Sequence, residues 1–154
     1  MNSNRLDYLE IEILKPNQAE DFAALIHIFS DVFEMTELKI PHNTYLKSLL
    51  QKPDFFVITA KNYGKVVGGL TVYILHGYYT SKPAAYIYDV GVTPLFQRKG
   101  IGKKLIGFLT DYCQQRGFEN AYVEAEADDI EAINFYRKTA HSHEMQATHF
   151  TYYF

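Results

Sequence analysis

A layered α/β fold with a mixed, partly parallel sheet follows from three features of this sequence. Short apolar segments with two-residue alternation stand among longer ones with helical spacing. Their order along the chain reads β α α β β β α β α β. In the second half a strand, a helix and a strand follow one another, the unit that sets parallel strands side by side.

Residues 9–14 alternate and predict the first strand. Asn17 with Glu20 has the pattern of a capping box, and Phe22, Leu25, Ile26, Phe29, Val32 and Phe33 then follow helical spacing up to the stop at Pro41. Residues 43–51 predict a shorter helix with Tyr45, Leu46, Leu49 and Leu50 on one side. Residues 55–60 and 65–75 read as strands joined by a hairpin at Asn62-Tyr63-Gly64. After the loop signal Ser81-Lys82-Pro83, residues 85–92 form another strand. Residues 100–116 predict a helix that buries Ile101, Leu105, Leu109, Tyr112 and Cys113, ended by Gly117 as a left-handed cap. A strand over 121–126, a helix over 129–139 and an extended arm or short hairpin over 143–154 complete the order.

The 154 residues suit a single domain, 1–154, without repeats or linkers. No apolar run is long enough for a transmembrane helix, and the polar stretch 1–8 lacks the core of a secretory signal. One cysteine, Cys113, excludes an internal disulfide framework and fits a reducing cytoplasm. A net charge of −3 argues against bulk attraction to nucleic acid. Thirteen tyrosines suit a wet cleft or an interface, since each joins an apolar ring to a hydrogen-bonding tip.

Chemistry concentrates in the segment that follows the fourth strand. Pro94 ends that strand, because it cannot donate to a ladder. Four cations, Arg98, Lys99, Lys103 and Lys104, then crowd a helix start at Gly100. A helix N-terminus carries partial positive charge, so each misplaced cation costs on the order of 0.3–1 kcal/mol. An anion docked there removes the conflict, and free N–H groups with Gly100 and Gly102 make a phosphate cradle. On charge alone a solvated basic turn is the stronger reading; the glycine spacing favours the cradle. Neither a Walker loop nor a dinucleotide fingerprint is present.

These residues resemble a known family. Gln97-Arg98-Lys99-Gly100-Ile101-Gly102 matches the Gln/Arg-x-x-Gly-x-Gly/Ala signature of the GCN5-related N-acetyltransferases (GNAT). Asp89-Val90-Gly91-Val92-Thr93-Pro94 is similar to that family's fourth strand, and Ala132-Ile133-Asn134-Phe135-Tyr136 to its motif ending in a tyrosine. One departure is visible: Thr139-Ala140-His141 stands where a Gly-Phe pair usually follows. The resemblance implies the GNAT fold, a mixed central sheet with helices on both faces and splayed fourth and fifth strands. It implies acetyl-CoA as co-substrate, its pyrophosphate held by Gln97, Arg98, Lys99, Gly100, Ile101, Gly102 and Lys103. Val90, Gly91 and Val92 would meet the pantetheine and acetyl oxygen through backbone N–H groups, with Gly91 at a bulge. Asn134 would join the coenzyme site, and Tyr136 would protonate the departing thiolate. Core packing in a stripe with Ile130 and Ile133 is the other reading of Tyr136.

A narrower resemblance is to the aminoglycoside 3-N-acetyltransferases of type I. It rests on Tyr86-Ile87-Tyr88-Asp89 leading into the loop and on the acidic pair Asp128-Asp129 seven residues before Tyr136. Asp89 would hold or deprotonate the amine; many family members have a glutamate base three residues earlier, where Tyr86 stands. Alternation puts Glu124 and Glu126 on one face of the fifth strand, and with Tyr86, Asp128 and Asp129 they form an acidic wall for a polycationic amine. Asp128 with Glu131 also has a capping-box pattern. The alternatives are a polyamine or a protein amine as acceptor, a coenzyme-A-binding regulatory module without turnover, and a structural interaction domain. No metal is expected, because His141, His143 and His149 lack ligand spacing. A homodimer through the tyrosine-rich end, 149–154, and an ordinary edge strand are both open readings.

Overall fold

A computed structural model describes residues 6–154; the first five residues of the polar stretch 1–8 lie outside them. The chain falls into two compact units that divide after Glu124. The first unit carries a five-stranded sheet in the order β1-β2-β3-β4-β5. Its strands are β1 (Leu9–Ile13), β2 (Phe55–Asn62), β3 (Lys65–Leu75), β4 (Ala84–Val92) and β5 (Asn120–Val123). Neighbours are antiparallel except β4 and β5, which run parallel across the crossover helix α3 (Ile101–Gln115). This is the mixed α/β sheet with helices on both faces that the element order predicts.

The interior strand β2 explains why both faces must be covered. Its residues are buried on alternate sides. Phe56, Ile58 and Ala60 join Leu70, Val72, Ala85 and Ile87 under Ile101, Leu105, Leu109 and Cys113 of α3. Phe55 and Val57 face the other way, under α1 (Ala19–Val32) and α2 (Asn43–Leu50). The β2–β3 turn is the predicted hairpin, with Tyr63 and Gly64 at φ 50° and 75°, the signs a two-residue type I′ turn needs. Gly117 ends α3 at φ 72° as expected.

Several local expectations are corrected. Asn17 and Glu20 do not cap α1, which has Gln18 as N-cap residue and no side-chain capping bond. The Gln18 amide instead accepts from the Lys15 N–H at 2.8 Å and donates to Glu12 at 2.9 Å. Glu12 and Asp21 both grip the Lys61 ammonium, and this partly buried triad pins β1, β2 and the start of α1 together. The buried stripe of α1 runs through Phe22, Leu25, Ile28 and Phe29, while Phe33 is exposed beyond its end. Tyr45 of α2 is exposed rather than packed with Leu46 and Leu50.

The second unit, residues 125–154, holds one helix, α4 (Ile130–Arg137), with no fully buried residue. Asp129 caps it, accepting from the Ala132 N–H at 2.9 Å, in place of the expected Asp128–Glu131 box. Ile130 is exposed, so the stripe Ile130, Ile133, Tyr136 is not a core. No strand forms over 143–154. Alternation there supplies a pattern but no ladder partner, and a strand needs both.

Candidate coenzyme and acceptor site

The loop after β4 turns sharply into α3. Pro94–Phe96 makes one 3₁₀ turn, and Gln97 follows in extended backbone. The Gln97 side-chain amide donates to the Val92 carbonyl at 2.9 Å, bracing the loop against the strand end. Arg98 takes φ 59° and Gly100 φ 81°. Two left-handed residues in three turn the chain sharply into α3, and Gly100 fills the N-cap position without a capping side chain. The first-turn N–H groups of Ile101, Gly102 and Lys103 therefore lack an intrahelical partner and point out of the helix end. Ile101 is buried to 1% exposure and anchors the helix start in the core. The Lys99 ammonium lies 5.0 Å over the Phe96 ring, while Lys103 and Lys104 are exposed.

Beside this loop the sheet opens. β4 pairs with β5 only from Ala84 to Ile87, although it stays paired with β3 as far as Val92. Val90, Gly91 and Val92 thus keep one backbone edge unpaired by β5, which is the splay of the fourth and fifth strands. The cause is visible in the register: Thr71 faces Asp89 and Val72 faces Ile87, so Tyr88 is an extra residue on β4. A bulge of this kind bends the strand and increases its twist. The expected bulge at Gly91 is therefore corrected to Tyr88. Gly91 serves packing instead: a Cβ there would stand 2.8 Å from the Phe29 ring of α1.

The bulge also sets the acceptor side. An extra residue puts Tyr88 and Asp89 on the same sheet face, where strict alternation would separate them. The Asp89 N–H donates to Thr71 Oγ1 at 3.3 Å. Burial of its carboxyl raises the Asp89 pKa above the ordinary aspartate value, by disfavouring the charged form. Tyr86 donates its phenol to Glu124 at 3.2 Å. Burial first, and then this hydrogen bond to Glu124, push the Tyr86 pKa up to about 12. The phenol thus stays neutral and remains a donor.

The predicted pairing of Glu124 and Glu126 on one strand face is not found. β5 ends at Val123, because β4 has bent away and offers no further ladder. In the second unit, Asp129 is committed to capping α4, while Asp128 and Glu126 are exposed in the turn before it. Asn134 is exposed, and Tyr136 is half-buried with its ring 5.0 Å from that of Phe135. The Tyr136 carbonyl accepts from the Thr139 N–H and Oγ1, which closes the turn where the family's Gly-Phe pair is replaced. Tyr73, Tyr88 and Tyr122, which the sequence does not single out, lie against Tyr86 or one another. The Tyr-x-Tyr-Asp spacing was the signal, but the cross-strand partners were not readable. Among the described residues, no group of three or more His, Cys, Asp or Glu side chains could hold a metal ion. No described helix is long and apolar enough to cross a membrane.

A glycine-capped, cation-flanked helix start stands beside an opened parallel strand pair. The model of the acetyltransferase (GNAT) family matches residues 22–141, and the chain belongs to that family. It is similar to the solved structure of an aminoglycoside acetyltransferase from an uncultured soil metagenomic sample, in complex with trehalose. The two are 43% identical, with a TM-score of 0.94, over 97% of this chain and 99% of the other. A second structure of that relative, 42% identical, with a TM-score of 0.94 over 96% of this chain and 97% of the other, is in complex with sisomicin. An uncharacterized N-acetyltransferase of Bacillus subtilis (strain 168) is 20% identical over 92% of this chain and 95% of its own length. A probable N-acetyltransferase of Arabidopsis thaliana is 33% identical over 52 residues, which are 34% of this chain and 13% of that protein.

Proposed function

We propose that this chain transfers the acetyl group of acetyl-CoA to the 3-amino group of an aminoglycoside, by direct attack in a ternary complex. The observation that carries the coenzyme half is the α3 N-terminus: uncapped N–H groups, Gly100 and Gly102, and a ring of cations. Arg98, Lys99 and Lys103 with the backbone of 100–102 would hold the pyrophosphate. The open edge of Val90, Gly91 and Val92 would take the pantetheine and aim a donor at the acetyl oxygen, where negative charge develops. The substrate half is supported by the 43% identity to an aminoglycoside acetyltransferase and by the carboxylates of Asp89 and Glu124. Asp128, Asp129 and Glu126 would add negative charge nearby in sequence; Asp129 does so while capping α4. The reading expects one working domain in the cytoplasm and a role in antibiotic resistance.

The step is an acyl transfer. The amine nitrogen attacks the acetyl carbonyl, its proton passes to Asp89 directly or through water, and the C–S bond breaks. Tyr136 gives its phenolic proton to the departing thiolate. In the presence of gentamicin, acetyl-CoA should yield free thiol, and Tyr136→Phe should slow this about a hundredfold, as loss of a general acid does. Absence of thiol with every aminoglycoside tried overturns the substrate reading; turnover of polyamines or peptides in the same screen would put the alternative acceptors in its place.

The cradle has its own test. Gly102→Glu sets a carboxylate among the N–H groups that would receive the pyrophosphate. Calorimetry should show coenzyme A bound at least about tenfold more weakly, a loss near 1.4 kcal/mol. Unchanged affinity would remove the pyrophosphate from this loop.

A further inference from the structure

Four tyrosines tile one face of the sheet around the acceptor carboxylates. Tyr73 and Tyr86 are opposed across the antiparallel β3–β4 pair, and Tyr86 and Tyr122 across the parallel β4–β5 pair. The bulge adds Tyr88 to the same face. The rings form a continuous ladder. Tyr73 meets Tyr88 edge-on at 5.5 Å, Tyr88 meets Tyr86 edge-on at 6.0 Å, and Tyr86 stacks on Tyr122 at 4.9 Å and 21°. Phe55, part of the core under α1 and α2, anchors the ladder at 5.0 Å from Tyr73. A core would hide such rings, but Tyr73, Tyr88 and Tyr122 are 40%, 59% and 39% exposed. Structural packing alone does not call for this surface.

Charge indicates what covers it. The ladder lies between two carboxylates, Asp89 next to Tyr88 and Glu124 just past the end of β5. Glu124 Oε2 accepts from Tyr86 at 3.2 Å, which fixes the carboxylate at the edge of the stacked pair. Glu124 is exposed, so its carboxylate is open to a cationic ligand from solvent. Aromatic faces attract ammonium groups and the C–H bonds beside them. Tyr86 and Tyr122 cover each other's inner faces, so the exposed rings of Tyr88 and Tyr122 are what offer this attraction to a rigid ring, at little cost in ordering. A linear polyamine must freeze several torsions to lie on the same surface.

We infer that Tyr73, Tyr86, Tyr88 and Tyr122 form a platform for a saturated ring carrying two ammonium groups, one directed to Asp89 for acetylation and the other held by Glu124. This deepens the acetyltransferase reading and rests on it for the role of Asp89. Tyr88 and Tyr122 are then specificity-determining: they select a diamino ring over a flexible polyamine.

The test is steady-state kinetics with gentamicin on Tyr88→Leu, Tyr122→Leu and Tyr88→Phe. Each leucine variant should raise KM for gentamicin about five- to twentyfold, the range for losing a partly desolvated aromatic–cation contact. KM for acetyl-CoA should move less than twofold. Tyr88→Phe keeps the ring and should restore KM to within about threefold. Unchanged KM for gentamicin in both leucine variants overturns the platform and leaves the acetyltransferase reading standing. Should the unaltered protein turn over no aminoglycoside, that reading fails, and binding decides the platform. Calorimetry with the diamino ring 2-deoxystreptamine should then show affinity that Tyr88→Leu weakens and Tyr88→Phe keeps. No binding by the unaltered protein, or equal binding by all three, overturns the platform there too.

Discussion

Replacing Asp89 with asparagine is expected to lower kcat/KM for the amine by about 10²- to 10⁴-fold, the range for a lost general base. The structure gives Asp89 what a free aspartate lacks. An ordinary aspartate is a weak base near neutral pH. Burial raises the Asp89 pKa, so its carboxylate accepts a proton more readily. The acid limb of the pH–kcat/KM profile should therefore lie above the ordinary aspartate value, and Asp89→Asn should abolish it. Stability moves the other way. A carboxyl whose pKa is raised on folding holds its proton more tightly in the native state. Its contribution is fully present below the unfolded-state pKa and is lost as pH rises through the folded value. At neutral pH the buried charge is a burden, so Asp89→Asn should keep or raise Tm while activity collapses. A parallel loss of Tm and activity would reassign Asp89 to structure. Retained activity with normal Tm would move the base elsewhere.

The parts of this fold that were legible in the sequence are those set by local rules. The β2–β3 hairpin followed from Tyr63-Gly64, and α3 from a stripe of apolar residues ended by Gly117. The start of α3 was legible because Gly100 suits a left-handed N-cap position. Features decided by partner strands were not legible. The end of β5 depends on where β4 bends away, and that bend depends on Tyr88 being one residue too many against Thr71 and Val72. Sequence alternation therefore carried the fifth strand on to Glu126, three residues too far. Gly91 was assigned to the bulge because glycine tolerates one, whereas its neighbour Phe29 is about sixty residues away and visible only after folding. The cap assignments failed similarly. Gln18 holds the start of α1 through a contact to Glu12 that a four-residue pattern does not encode, and Asp129 caps α4 through the Ala132 N–H, one residue later than the expected box. The same bulge brings Tyr88 and Asp89 to one face, so the acceptor platform is a product of register rather than of motif.

Leu105→Ala is expected to destabilise the protein by about 2–5 kcal/mol, because it empties a fully buried site that the surroundings cannot refill. Leu105 is 0% exposed and packs in the cluster that joins α3 to the sheet. For a chain of this size that loss lowers Tm by roughly 2–4 °C per kcal/mol. The position also separates fold from function. Leu105 lies one turn beyond the cradle at Gly100–Gly102, on the buried side of the same helix, so truncating it weakens the support of the coenzyme loop without touching a ligand. If α3 is held from below by this core and from its N-terminus by the coenzyme, the two supports act on one element. Coenzyme A at a hundred times its dissociation constant should then return about 2.7 kcal/mol to the folded state. Thermal melts of Leu105→Ala with and without saturating coenzyme A should recover much of the lost Tm. Gly102→Glu at the same coenzyme concentration should gain far less. A Gly102→Glu protein that gains as much from coenzyme A as Leu105→Ala does would mean that the α3 N-terminus is not where the ligand binds, since a ligand stabilises the folded state wherever it docks.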